Sequence, residues 1–150
     1  MSSVPASKRT KSHYEPVDNA AQIFKKTIDI CLRVPKRYTI ILLQYIARDA
    51  HSMASCAVRA NSIHPACLSE YHTRRALWQE GLSWLNALDQ DFSLFLYDPK
   101  CLTYFENSET PTKGVSHTDL NVLASLIHKQ YALFTSAMVS DEERFSLLGD

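Results

Sequence analysis

The chain has 150 residues, a length that folds as one domain, and its 45% apolar and 21% charged residues predict an ordinary folded core. Its three glycines are too few and too isolated for a glycine-rich phosphate loop or a fold of many hairpins. The sequence has no apolar run long enough for a membrane span and no signal-peptide pattern, and its four cysteines are widely spaced. We therefore expect a cytoplasmic protein with reduced cysteines and no membrane segment.

Both ends of the chain are predicted to lie outside a folded body that spans 17–140. Residues 1–16 are polar and basic, which indicates a flexible tail, either a solvated terminus or an arm that contacts nucleic acid. Residues 141–150 are acidic and are expected to fray. The net charge is zero, but residues 1–75 hold 12 basic against 5 acidic residues and residues 76–150 hold 4 against 11. This asymmetry indicates two different surfaces or two different partners.

Two helices are predicted in the first half of the body. Asp18 is a suitable N-cap for a first helix that ends near Arg33, because Pro35 disfavours helical backbone in the residue before it. A second helix is predicted over 36–61, where apolar residues recur every three or four positions.

Two further helices are predicted in the second half. The third covers 70–97, and the fourth begins at Ser116, after a polar loop, with Asp119 completing a capping box. Four amphipathic helices with short links predict an all-α fold, an antiparallel four-helix bundle. The third helix carries two apolar stripes, and the second stripe exceeds the needs of an isolated monomer. We therefore predict a subunit interface formed by Leu77, Trp84, Leu88 and Phe95.

The sequence shows no pattern typical of an enzyme or a cofactor site. His64, Cys67 and His72 come nearest to a metal cluster, but no second ligand pair completes it. We predict no catalytic residue, no bound metal and no cofactor. The carboxylates Asp49 and Glu80 lie within helical patterns and are expected to pair with buried arginines or with backbone groups rather than to perform acid–base chemistry. The candidate partners are Arg48, Arg74 and Arg75.

Basic residues cluster at the junction of the first two predicted helices. Arg33 closes the first helix, where a cation suits the helix dipole, whereas Lys36 and Arg37 open the second, where each cation costs roughly 0.3 kcal/mol or more. Cations beside the N–H groups of a helix start suit phosphate or carboxylate. Three interpretations remain open: a solvated corner, a nucleic-acid or anion surface, and pairing with an acidic neighbouring subunit. The cluster comprises Lys25, Lys26, Arg33, Lys36 and Arg37.

Several short motifs occur in a distinctive order along the chain. They are VPKRY at 34–38, RDA at 48–50, ANSI at 60–63 followed by Pro65, Tyr71 followed by RR at 74–75, and RALWQEGL at 75–82. This order resembles the small four-helix-bundle proteins encoded in intervening sequences of 23S ribosomal RNA genes. The same group includes the accessory variability determinant of diversity-generating retroelements. The resemblance covers about residues 20–140.

The resemblance implies an antiparallel bundle that assembles into a pentameric, barrel-like ring. In the retroelement branch it implies binding of the element's reverse transcriptase and of nucleic acid during mutagenic copying of a template RNA. By motif position, Lys36, Arg37, Arg74 and Arg75 would form the basic binding surface. The leading hypothesis is a non-enzymatic, ring-forming accessory protein that binds reverse transcriptase and RNA or cDNA. The alternative is a self-assembling scaffold that binds a protein partner without nucleic acid.

Overall fold

A computed structural model describes residues 14–38, 42–97 and 117–150 of the chain. This part consists of four α-helices and a short 3-10 turn at Lys36–Tyr38, with no β-strand. The predicted all-α fold is therefore confirmed for the described residues. The helices are α1 (Glu15–Arg33), α2 (Gln44–Ser62), α3 (Leu68–Tyr97) and α4 (His117–Phe145).

Each helix packs against two neighbours, in the order α1, α2, α3, α4 and back to α1. Contacts between α1 and α4 show that these helices are antiparallel, because Asn19 binds Gln130 whereas Arg33 binds Asp119. Helices α3 and α4 are antiparallel for the same reason, since Arg74 binds Asp141. The described part is therefore an antiparallel four-helix arrangement around one core.

The core lies between all four helices and is closed at its centre by aromatic rings. Trp78 and Phe134 are fully buried, with ring centroids 5.7 Å apart. A Cβ atom at Gly81 would lie 3.0 Å from the Phe134 ring and 3.4 Å from Cys56, so glycine permits the close approach of α3 to its neighbours. Other fully buried side chains are Ile23, Ile30, Ile46, Met53, Leu85, Leu88 and Leu123.

Leu77 and Leu88 are buried within the single chain, so the prediction that they form a subunit interface is wrong. Both side chains lie in the core of the single chain, because α3 packs against α2 on one side and against α4 on the other. The two apolar stripes of α3 therefore serve two neighbouring helices of the same molecule. Trp84 is only partly buried, and the side chain of Phe95 lies outside the described residues.

Helix α1 begins earlier than predicted, and the prediction that Asp18 is its N-cap is wrong. The N-cap is Tyr14, whose carbonyl accepts hydrogen bonds from the N–H groups of Val17 and Asp18. Pro16 lies in the first turn, where its missing N–H costs nothing and its fixed φ suits the helix. Residues 1–13 of the predicted basic tail lie outside the described residues.

Helix α2 begins later than predicted. Pro35 ends the preceding helical segment as expected, but it is followed by the 3-10 turn, and α2 starts only at Gln44. Lys36 therefore lies before α2, not in its first turn as predicted. The side chain of Arg37 and residues 39–41 lie outside the described residues.

Helix α4 continues to Phe145, five residues beyond the predicted end of the bundle. The expectation that the segment from Asp141 frays is wrong for its first turn, because Asp141 is buried and binds Arg74. The last residues also contact the bundle, since the N–H of Leu68 donates to the carbonyl of Gly149. The predicted loop and the predicted cap at Ser116 lie outside the described residues.

Candidate functional site

Two of the predicted basic residues, Lys26 and Arg33, share one carboxylate at the contact of α1 with α4. The Lys26 Nζ lies 2.7 Å from Asp119 Oδ1, and the Arg33 Nη1 lies 2.9 Å from Asp119 Oδ2. Asp29, on the same stripe of α1, lies 2.7 Å from Arg33 Nη2 and 3.5 Å from Lys26 Nζ. The hydrogen bond that Arg33 donates to Asp119 is the main reason why the pKa of Arg33 is raised. Both cations are thus held in place by carboxylates.

Two more of the predicted cations are exposed beside this cluster. Lys25 lines an open groove between α1 and α4, together with Val122 and Leu126. Lys36 follows Arg33 by three residues and is exposed in the 3-10 turn. These four cations and the two carboxylates together have a formal charge of +2 (four minus two). We call this set the basic corner: Lys25, Lys26, Arg33 and Lys36, with Asp29 and Asp119.

Arg74 does not lie on a basic surface, and its predicted role in binding nucleic acid is wrong. Its side chain is buried, with Nε 2.6 Å and Nη2 3.1 Å from the two oxygens of Asp141. Its Nη1 donates to the carbonyls of Ala60 and Ile63 at the end of α2. The guanidinium is therefore fully engaged within the bundle, where it joins α2, α3 and α4.

Arg75 lies near the C-terminal end of α4, far from the basic corner. Its Nη1 donates to the hydroxyl of Tyr71 at 3.0 Å and lies 3.9 Å from Glu142. The hydrogen bond with Tyr71 is the main reason why the pKa of Arg75 is raised. Glu142 and Asp119 are 23 residues apart on α4, which is about 35 Å along a helix. The predicted basic residues therefore do not form one continuous surface.

A second cluster of polar and aromatic side chains lies between α2 and α3. The sequence did not predict it as a site. The Arg48 Cζ lies 5.3 Å from the ring centroid of Tyr45 and 5.7 Å from that of Trp84, both within cation–π distance. The Arg48 Nε donates to Asp49 Oδ1 at 3.0 Å, which confirms the predicted pairing of Asp49 with an arginine. We call Tyr45, Arg48 and Trp84 the aromatic–arginine cluster.

A pair of carboxyl groups lies next to this cluster. Asp49 is buried and hydrogen-bonded to Asp91, which faces it from α3. Burial, followed by the hydrogen bond and the negative charge of Asp49, raises the pKa of Asp91 to about 7. Asp91 is therefore only partly ionised near neutral pH, and the positive charge of Arg48 opposes the rise in its pKa.

The remaining chemistry of the described residues is limited. Within residues 14–38, 42–97 and 117–150, no group of three or more His, Cys, Asp or Glu side chains is placed to hold a metal ion. The Cys67 Sγ lies 3.2 Å from the Ser69 hydroxyl, at the start of α3. None of the helices in this part of the chain has the length and apolarity needed to cross a membrane.

Comparison with known proteins finds no matching family model. No curated protein and no solved structure matches the chain significantly.

Proposed function

We propose that this protein is a non-enzymatic accessory protein of a diversity-generating retroelement, a cytoplasmic ring-forming bundle that binds reverse transcriptase and RNA or cDNA. The order of the sequence motifs and the four-helix fold support the choice of protein class. The observation that carries the nucleic-acid part is the basic corner, where cations exceed carboxylates by two. Nothing in this proposal depends on a metal, a cofactor or a catalytic residue.

Within the basic corner, different residues have different roles toward a phosphate backbone. Lys25 and Lys36 are exposed and can contact phosphates directly. Lys26 and Arg33 are held by Asp119 and contribute mainly to the local positive potential. Each phosphate neutralised releases condensed counterions, so the binding must weaken as the salt concentration rises.

Assembly into a ring requires a second surface, separate from the core. A ring is built from heterologous contacts, in which one face of a subunit meets a different face of the next. Exposed apolar side chains on each of the four helices can contribute contact area. Among those described are Leu32 on α1, Val58 on α2, Leu94 on α3, and Val122 and Val139 on α4.

The experiment that tests this proposal is light scattering of the purified protein, alone and with a short RNA, at low and moderate salt. We expect a pentamer-sized particle that gains RNA at low salt. In the Lys25→Glu/Lys36→Glu variant we expect the same particle with RNA binding lost. Retained binding in this variant would remove the basic corner from the proposal, and a monomeric wild type would overturn the ring.

A matched control is the single charge reversal Arg59→Glu. Arg59 is exposed in the last turn of α2, 15 residues from Gln44 and therefore about 22 Å along the helix from its start. This variant is expected to retain the RNA affinity, apart from a small general effect of the net charge. If a particle of the right size binds RNA, a reverse transcriptase encoded beside the gene is the partner to test by co-purification.

One observation favours a second candidate function, a scaffold that binds a protein partner without nucleic acid. Two of the four cations in the basic corner already bind the carboxylates of Asp29 and Asp119 within the chain. A protein whose charges serve its own contacts would form the same particle and remain indifferent to RNA at every salt concentration. The light-scattering experiment separates the two functions.

A further inference from the structure

The aromatic–arginine cluster combines exposure with a fixed arrangement. Tyr45 is 47% exposed and the side chain of Arg48 is 57% exposed, while Trp84 is partly buried at the edge of the core. The guanidinium of Arg48 lies within 6 Å of both ring centroids, at 5.3 and 5.7 Å. Three side chains with flat, polarisable faces therefore meet at one place on the surface of α2 and α3.

Asp49 holds Arg48 in this arrangement. Both Nε and Nη2 of Arg48 lie 3.0 Å from Asp49 Oδ1, and Asp49 itself is buried in the bundle. An exposed arginine would otherwise sample many rotamers, and this pairing reduces the entropy lost when a ligand stacks on the guanidinium. The Arg48–Asp49 pair is formally neutral, so the cluster does not itself attract a phosphate.

Such a surface is suited to the flat faces of nucleobases. Unpaired bases stack on aromatic rings and on guanidinium planes, and this stacking is tolerant of sequence because every base has a π-face. We infer that Tyr45, Arg48 and Trp84 form a stacking site for unpaired bases of a single-stranded nucleic acid. The inference rests on the proposed function, and it names single-stranded RNA or cDNA as the ligand class.

The stacking site and the basic corner have complementary roles. Lys36 precedes Tyr45 by nine residues, and the basic corner supplies the charge that the neutral cluster lacks. The cluster lies between α2 and α3, on the side of the bundle opposite the contact of α1 with α4, so a single strand that contacts both sites would follow the junction of α1 with α2, where Lys36 lies. Duplex RNA has its bases stacked and paired internally, so it can use the basic corner but not the stacking site.

Trp84 makes this site directly observable. The chain has two tryptophans, and Trp78 is fully buried, so a change in tryptophan fluorescence on adding ligand reports mainly on Trp84. We would titrate the protein with a single-stranded oligoadenylate of about 12 nucleotides and with a duplex RNA of the same length. The single strand is expected to quench the fluorescence, and the duplex is expected to bind without quenching.

Substitutions of Trp84 and Tyr45 distinguish the stacking of bases on these rings from the packing of the side chains within the bundle. Trp84→Leu keeps an apolar side chain but removes the π-face, so single-strand affinity, measured by anisotropy of a labelled oligonucleotide, is expected to fall about tenfold. Trp84→Phe restores a π-face and is expected to retain the affinity within about twofold. Because Tyr45 is half-exposed, Tyr45→Leu provides a second test at a position with little effect on folding. It is expected to weaken binding in the same way.

The outcomes distinguish this inference from the proposed function. Binding of the single strand with unchanged fluorescence, and with equal affinity in Trp84→Leu, would overturn the stacking site and leave the proposed function standing. A loss of particle mass in Trp84→Leu without RNA would also overturn it, because Trp84 would then be the subunit contact predicted from the sequence. If the wild-type protein binds neither RNA, both the stacking site and the nucleic-acid part of the proposed function fail.

Discussion

Two arginine–aspartate contacts hold α4 to its neighbours, one at each end of the helix, and they differ in exposure. The side chains of Arg74 and Asp141, at the C-terminal end, are 5% and 1% exposed. The side chains of Arg33 and Asp119, at the N-terminal end, are 17% and 14% exposed and lie beside further cations. The buried contact has no room for a ligand, whereas the basic corner is open to one. Similar residues in a sequence can therefore be buried inside the bundle at one end of a helix and accessible to a ligand at the other.

The largest effect on stability is expected from Arg74→Ala. Among the described residues, the substitution leaves the buried Asp141 with Trp78 Nε1 and Arg144 as hydrogen-bond donors, and it removes the donor to the carbonyl of Ile63. We expect the free energy of unfolding, measured by urea denaturation, to fall by about 3–5 kcal/mol. Arg75→Ala is the control, since Arg75 is half-exposed, and it should cost less than about 1 kcal/mol. Equal losses in the two variants would mean that the contrast between the two arginines is wrong.

A smaller loss of stability and a gain in binding are expected from Asp119→Asn. Removing this carboxylate weakens two partly exposed ion pairs and a favourable charge in the first turn of α4, at a cost of about 1 kcal/mol. It also raises the formal charge of the basic corner from +2 to +3. RNA affinity at low salt should therefore rise, and log affinity should fall more steeply with log salt, by about 0.7 for each additional phosphate neutralised.

The control for that variant is Glu143→Gln, which makes the same change in net charge at the other end of α4. It should leave both the affinity and the salt dependence nearly unchanged. Equal gains in the two variants would show that only the net charge of the protein matters. Tighter binding in Asp119→Asn alone would assign the effect to the basic corner.

Local patterns in the sequence were sufficient to predict the helices. The spacing of apolar residues located all four, and Pro35 correctly separated the first two because the effect of proline on its predecessor is local. The predicted cap at Asp18 was wrong because Pro16 allows the helix to start one turn earlier. This error at the start of α1 thus arose where two local signals competed.

Contacts between distant parts of the chain could not be predicted in this way. Arg74 and Arg75 are adjacent and chemically identical, and only the packing of α4 decides that Arg74 is the buried one. Its partner Asp141 lies 67 residues away within an acidic run that is typical of a solvated end. The aromatic–arginine cluster has the same origin, since Tyr45 and Arg48 share a helical stripe but Trp84 joins them only through the contact of α2 with α3.

A further effect on stability concerns Asp91, and its size depends on pH. Because the pKa of this carboxyl is about 7 in the folded protein and 3.8 in the unfolded chain, folding favours the protonated form. Below about pH 4 both states are protonated, and the raised pKa has no effect. As the pH rises from about 4 to 7, the unfolded chain ionises first, so this group progressively lowers the stability. Above pH 7 the loss is complete and constant.

Asp91→Asn removes the loss of stability caused by the raised pKa of Asp91, and it should distinguish this loss from other effects of pH. At pH 8 we expect the variant to be more stable than the wild type by about 1 kcal/mol, after allowance for the partial exposure of Asp91. At pH 4 the two proteins should unfold alike. Glu80→Gln, an exposed carboxylate on the same helix, should show no such dependence. A difference between Asp91→Asn and wild type that stays constant from pH 4 to 8 would mean that the pKa of Asp91 is not raised in the folded protein, and that Asp49 and burial do not act on this carboxyl as described.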